Sequence, residues 1–504
     1  MSSSFLRSKS LTALVVSVAS SGLGVLLLHL PLWDGPMIGD DYLSVKASLT
    51  TPGSGGFWSD IWLTGGGKWR PVTTVILYWF QRHFEYSYFP YQMLNLSLLI
   101  ICAALVGVIS FMLCKSVFVA TLTSFAISVS QLTWYAQISV FGLMELLAII
   151  FLLLAGTCAV LAIHLPSESS RISATLQLVA FLSLFLCTLT HERYLLTTLC
   201  FWILFLANSS QNSHIRRRSW IFLLIPMTHI IIKGLVLKLD PLQGGGESRL
   251  RSVYGTWLIE HLRDSFIGIL GYFSGSGKYY SQWPLGRMAS QTDLQILGPL
   301  IICVPFLLLL IVLRSVQPDR TKLPIVKLLD LKTLFIFSLL ASTLLPAATV
   351  IQRIESRWLL APQIFLVLFC IAIVTKNFES GLIRLATLCV LPFCLIVVAI
   401  HYSGKSDAYT IIRDQPSLII SQLETIAPPE TPWVLSLTQD DSTMPTNWQF
   451  GYLQAFEQMS NPPYLIAETC PKEKKSTPCV MVELHGANSP LIKIRSANEF
   501  LFSS

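Results

Sequence analysis

Apolar residues run on for the length of a bilayer crossing in stretches that begin near Leu11, Met93, Val117, Ile138, Ala174, Tyr194, Trp220, Ile296, Leu334, Trp358 and Leu382. Hydrocarbon about 30 Å thick calls for about 20 such residues in a helix, and most of these runs carry no charge at all. The pattern predicts an all-α polytopic membrane protein with about eleven transmembrane helices. Between the first two runs, residues 40–49 and 71–84 have the spacing of short amphipathic helices lying on the membrane face. Pro71 suits a first helical position, and Val72, Val75, Ile76, Trp79 and Phe80 form one apolar stripe. Trp58, Trp62, Trp69 and Trp79 are the aromatics expected where bilayer meets water.

Composition agrees: 53% of residues are hydrophobic and only 12% charged, against about 25% charged in soluble domains. The basic residues set the orientation, because short loops rich in them stay cytoplasmic. Arg7 and Lys9 put the N-terminus inside; counting helices then places Lys115, Arg171, Arg216 to Arg218, Arg314, Arg320, Lys322, Lys327, Lys332 and Lys376 on the same side. The net charge of +7 is accounted for by these loops, so no nucleic-acid partner is expected. The first run is read as an anchor rather than a cleaved signal, since its apolar stretch continues through Leu26, Leu27 and Leu28.

The outer side then receives two large loops, 33–91 and 238–295, and everything after about His401. This divides the chain into a transmembrane unit, 1–401, and a small non-cytoplasmic C-terminal domain, 402–504, with strand-like stretches at 433–437 and 479–484. Nine of the eleven cysteines lie in apolar runs. Cys470 and Cys479 lie in the polar tail, where an oxidising compartment would allow a disulfide. No internal repeat of the kind many transporters show is visible. Neither Gly67-Lys68 nor Gly277-Lys278 has the glycine and hydroxyl spacing of a phosphate loop.

Ionisable residues near the outer surface are the candidates for chemistry. Asp40 and Asp41 follow the first helix at the bilayer edge. Adjacent carboxylates repel, and one near a low-dielectric surface can act as general base; an acidic turn capping a helix would have the same sequence. Thr190-His191-Glu192-Arg193-Tyr194 is the polar break between two apolar runs. It reads either as a tight turn closed by Glu192 with Arg193 or His191, or as a functional group of ionisable side chains. Glu145 is an isolated acid inside a span, for which Lys233 or His229 would be a partner. Lys278 to Pro284 combines a cation with aromatics and suits an interfacial anchor better than a sugar contact. Gln352 to Pro362 carries Arg353, Glu355 and Arg357, which suit either a surface ion pair or a phosphate contact.

The acid pair after the first helix, Arg70-Pro71 opening a loop helix, and the aromatic entry Tyr91-Gln92-Met93-Leu94-Asn95 to the second span resemble the GT-C superfamily of membrane glycosyltransferases. They are most similar to the tetratricopeptide-associated O-mannosyltransferases and their bacterial relatives. Gln92 stands where that family usually has histidine, no tetratricopeptide array follows, and Arg357-Trp358 resembles an Arg-Tyr motif with tryptophan in place of tyrosine. The resemblance implies an inverting transferase in the bacterial plasma membrane, N-terminus inside and C-terminus outside. Its donor would be a polyprenyl-phosphate sugar and its acceptor a hydroxyl of a protein, lipid or glycan. It implies that Asp40 is the catalytic base with Asp41 as runner-up, and that Arg70, His191, Glu192 and Glu355 support the site. Arg357, or Arg353 one turn earlier, would hold the donor phosphate. No cofactor is expected, and a divalent metal stays open. A lipid-linked sugar flippase would need ionisable groups spread through the depth of the bilayer, whereas here they gather at the outer end; an O-antigen polymerase or ligase would share the compartment and the substrates but does not predict an acid pair immediately after the first helix.

Overall fold

Each apolar run folds as helix apart from that at Ile296, which lies outside the described residues. The computed structural model describes residues 3–28, 39–50, 62, 68–133, 139–164, 170–207, 219–239, 265, 268–269, 330–348, 356–378, 381–403, 421, 423, 434–439, 465–467, 479–484 and 492–496. In chain order the helices are α1 (Ser3–Leu28), α2 (Gly39–Thr50), α3 (Pro71–Phe84), α4 (Phe89–Cys114), α5 (Val117–Ser128), α6 (Gly142–His164) and α7 (Ser170–Thr190). A 3₁₀ turn (Glu192–Leu196) leads to α8 (Thr197–Ala207), then α9 (Ile221–Ile231) with a π turn (Ile232–Val236), α10 (Leu331–Ala348), α11 (Ser356–Asn377) and α12 (Leu382–Ser403). Among the described residues five helices, α1, α4, α6, α7 and α11, are long and apolar enough to cross a membrane, and α5, α9, α10 and α12 are shorter apolar helices. These are the helices of a multi-pass membrane protein.

Local chemistry sets the ends. Pro71 opens α3 and Pro90 lies in the first turn of α4, where a missing N–H costs nothing. Ser116 caps α5, its Oγ accepting the Val119 N–H at 3.4 Å. Lys115 closes α4 in the left-handed region at φ 59°. The two expected amphipathic helices are α2 and α3. The α3 stripe of Val72, Val75, Ile76, Trp79 and Phe80 is only partly covered, with Trp79 52% exposed, while Thr73, Leu77 and Gln81 turn toward the protein.

Small residues bring α1 against α4 and α5. Ser124 Oγ donates to Ser17 O at 2.7 Å, Ser20 Oγ to Thr121 O at 2.9 Å and Ser21 Oγ to Ile100 O at 3.3 Å. A Cβ at Gly107 would lie 2.5 Å from Ser17 Oγ and 2.9 Å from Ala120 O, so only glycine allows this approach. α11 is enclosed: 83% of its apolar window is buried, against 33% for α1, as befits a helix that is apolar on all sides. Its one buried amide, Gln363, accepts from Ser130 Oγ at 2.6 Å and donates to Ile269 O at 2.6 Å, which satisfies it where no water reaches.

The membrane unit is helical as expected, and in the tail, where strand-like stretches were expected, a four-stranded sheet forms in the order β2-β1-β3-β4. Its strands are β1 (Val434–Gln439), β2 (Leu465–Ala467), β3 (Cys479–Leu484) and β4 (Ile492–Ser496). β1 pairs in parallel with β2 and β3, and β4 is antiparallel to β3. The strand-like stretches at 433–437 and 479–484 are β1 and β3. Cys479 starts β3; Cys470 lies outside the described residues, so the proposed disulfide does too. Gly107→Val should lower the apparent melting temperature in detergent by the equivalent of about 1–3 kcal/mol of overpacking. Gly22→Ala, with nothing within 4 Å of the added Cβ, should leave it unchanged; equal effects would show that the close approach is not what glycine serves.

Candidate anion site at one end of the bundle

The turn before α6 is clamped from two sides. The Asp41 carboxylate of α2 accepts Ser139 Oγ–H at 2.9 Å and the Val140 N–H at 3.0 Å. Asn95 of α4 donates from Nδ2 to Ser139 O at 2.8 Å. Gln81 Nε2 reaches Ser44 Oγ at 2.9 Å and joins α3 to α2, while Thr73 Oγ1 donates to Thr190 O at 2.7 Å and joins α3 to the end of α7. Val45, Leu77, Tyr88, Tyr91, Val140 and Leu143 pack beneath these bonds. The loop helices are therefore fixed over the ends of the spans.

Beneath them lies a buried cluster of charge. Glu145, 1% exposed in the first turn of α6, accepts from Arg193 Nη2 at 2.8 Å, and His191 Nε2 lies 3.4 Å from the same oxygen. A carboxylate there also faces the positive end of the helix dipole. Glu192 meets Arg70 Nη2 with one oxygen and Lys233 Nζ with the other, each at 3.4 Å. Lys233 is presented by the π turn after α9, a backbone irregularity common at functional sites. Arg70 Nη1 also lies 3.0 Å from Met144 Sδ. Trp358 at the start of α11 receives Arg193, whose Cζ is 5.1 Å from the ring centroid, and Arg357, at 6.0 Å. Burial lowers the Arg70 pKa, Glu192 pulls it back up, and Arg193 and Arg357 lower it further, while the guanidinium stays charged.

Burial, and then Arg70 and Arg193, push the His191 pKa well below its usual value, against the pull of Glu145. The histidine Nδ1 accepts the Arg193 backbone N–H at 3.2 Å, which assigns the ring proton to Nε2, where it faces the Glu145 carboxylate at 3.4 Å. Among the described residues four cations, Arg70, Arg193, Lys233 and Arg357, thus surround two carboxylates. Arg70 Nε and Arg193 Nη1 are buried donors that meet no acceptor among the described residues. Guanidinium donors gathered in this way suit an anion such as a phosphate. An aromatic wall closes one side, where Trp69 stacks on Trp62 at 6.4 Å and meets the His229 ring edge-on at 5.4 Å. No three His, Cys, Asp or Glu side chains among the described residues converge to hold a metal.

The structure brings together Arg70, His191, Glu192 and Arg357 from three separate stretches of sequence. The expected partners are corrected. Glu145 pairs with Arg193 and His191 rather than Lys233 or His229, and Glu192 turns away from Arg193 to Arg70 and Lys233. The 3₁₀ turn splits the neighbours, placing residue 192 on one side and residues 191 and 193 on the other. Trp69, expected at the interface, is 3% exposed because it lies against α9. The helix α2 carries Asp40, whose side chain lies outside the described residues, as do Arg353, Glu355 and the segment Lys278 to Pro284. The clamp on Ser139 was hidden in the sequence, because neither an Asp nor an Asn announces a partner 98 or 44 residues away.

No known family model matches the chain, and no curated protein is similar to it at a significant level.

Removing one member of a buried ion pair leaves the other uncompensated, at a cost of about 3–5 kcal/mol. Glu145→Leu should lose that much stability in detergent unfolding followed by tryptophan fluorescence. Glu145→Leu combined with Arg193→Leu should recover most of it. A double variant no more stable than the single one would show that Arg193 is held by something other than Glu145.

Proposed function

We propose that the chain is an inverting glycosyltransferase of the GT-C type, which takes its sugar from a polyprenyl phosphate and works at the outer face of the membrane. The observation that carries this reading is the gathering, among the described residues, of guanidinium and ammonium groups at the end of the spans. An anion bound there would lie at the depth of a lipid phosphate, with its tail free to remain in hydrocarbon. The acid pair on α2 belongs to the same end of the bundle, tied by Asp41 to the start of the helix that carries Glu145. Charge in the described spans otherwise stays near helix ends, which favours an end-on enzyme over a carrier with a path through the bilayer.

In the proposed step the acceptor hydroxyl gives its proton to Asp40 and its oxygen attacks the anomeric carbon. The bond from that carbon to the phosphate oxygen breaks on the opposite face, and polyprenyl phosphate leaves. Arg357 and Arg193 stabilise the charge that develops on the leaving group, the largest electrostatic task in the step. Arg70 keeps Glu192 from neutralising them. Asp41, with both carboxylate oxygens engaged by the 139–140 turn, is a positioning residue, which supports Asp40 as the base.

Transfer from radiolabelled polyprenyl-phosphate sugars into membrane extracts tests the reading. Asp40→Asn should abolish transfer and leave donor binding intact, since the base acts in the transition state. Arg357→Ala should weaken binding of polyprenyl phosphate by the equivalent of about 1.5–3 kcal/mol, one charged hydrogen bond. Lysine there should recover only part, because it lacks the planar fork. Unchanged donor affinity in Arg357→Ala, or normal turnover in Asp40→Asn, would overturn the assignment of that residue, and both together would overturn the proposal.

A further inference from the structure

The opposite end of the bundle carries a second feature. α4 and α6 start beside the anion cluster and end at Lys115 and His164; α10 runs the other way and starts beside them, at Lys332. Between these helices and α11 an open groove of about 840 Å³ is walled by Leu153, Gly156, Phe335 and Phe365, with Lys115, His164 and Lys332 at its mouth. Along α6 its lining extends from His164 back to Leu152, about 18 Å at 1.5 Å per residue. Half the hydrocarbon core is about 15 Å, so the groove is as deep as one leaflet.

The geometry points to a bound anionic phospholipid: one acyl chain in the groove between α6 and α10, and its phosphate on Lys115 and Lys332. Depth and charge both argue for this occupant. The cations sit where the spans end, at headgroup level, and the walls below them are apolar. Asp330, the acid beside His164 and Lys332, is engaged in capping α10 through the Thr333 N–H at 2.8 Å. Lys376 and Arg384 add further positive charge nearby, the first acting on Asp330 and the second on Cys114 at the end of α4. Gly156 is what leaves the groove open: a Cβ there would already touch Phe335 at 3.8 Å and Leu339 at 3.9 Å. A free anion would use the lysines without the groove, and a neutral lipid the groove without the lysines. The proposal is independent of the sugar-transfer reading, which concerns the other end of the molecule.

The test is native mass spectrometry of the full chain released from detergent with added dioleoyl phosphatidylglycerol or dioleoyl phosphatidylcholine. Phosphatidylglycerol should remain bound preferentially. That preference should fall about thirtyfold in Lys115→Gln/Lys332→Gln, the equivalent of about 2 kcal/mol for two lysines near a lipid surface. Both side chains are at the surface end of their helices, so the fold survives the change, and an unchanged melting temperature in detergent serves as its check. Gly156→Leu should reduce retention of both lipids by closing the groove. Equal retention of the two lipids by the unaltered chain, a preference that survives the double substitution, or full displacement of the lipid by glycerol phosphate alone would overturn the proposal.

Discussion

Glu145 is a carboxylate buried at the end of an apolar span, and the architecture at that end follows from the need to compensate it. An isolated charge there would cost several kcal/mol; Arg193 and His191 come to it from the 3₁₀ turn between α7 and α8. Arg193 in turn lies over Trp358, which brings the start of α11 to the same point. Because His191 and Arg193 face Glu145, Glu192 must face the other way, where Arg70 and Lys233 meet it from α3 and the π turn. One buried acid thus orders five segments. Among the described residues the cluster gathers more cations than acids, the balance on which the proposed anion binding draws.

The two ends of the bundle use cations differently. At the cluster end they are drawn inward around acids. At the opposite end Lys115 is exposed and Lys332 half-buried, at the rim of an apolar groove. Buried guanidinium groups keep their charge and direct several donors at one ligand. Lysines on flexible stems at a headgroup surface contribute a point charge each, selecting the sign of a lipid more than its shape.

Periodicity and run length made the helices legible. α2 and α3 fall where amphipathic spacing put them, and Pro71 opens α3 as its fixed φ requires. The sheet was half legible: β1 and β3 are apolar and β-branched enough to read as strands, whereas β2 is three residues long and β4 alternates with charges. Which ionisable residues matter was also legible, since charge at membrane depth is rare. Who pairs with whom was not. Adjacent residues in a 3₁₀ turn point apart, so the nearest candidate in sequence, Glu192 with Arg193, is the wrong one. Trp69 illustrates the same limit, because an aromatic between glycines and an arginine looks interfacial until α9 is seen to cover it.

The 139–140 turn shows how the loop helices and the spans act as one unit. It is held by a carboxylate from α2 and an amide from α4, and it leads within two turns to Glu145. A shift of α2 would therefore move the start of α6, and with it the carboxylate that orients Arg193. Conversely, an anion drawing Arg193 toward itself would loosen its bond to Glu145 and be felt at α2 through the same turn. Asp41 and the cation cluster are tied through two hydrogen bonds and the first turn of α6. A reaction that needs a base and a leaving-group clamp in fixed relation requires this kind of tie, because about 1 Å of misplacement can cost a hundredfold in rate. The polar turn keeps that relation while the α3 stripe, with Trp79 more than half exposed, remains free to rest on lipid.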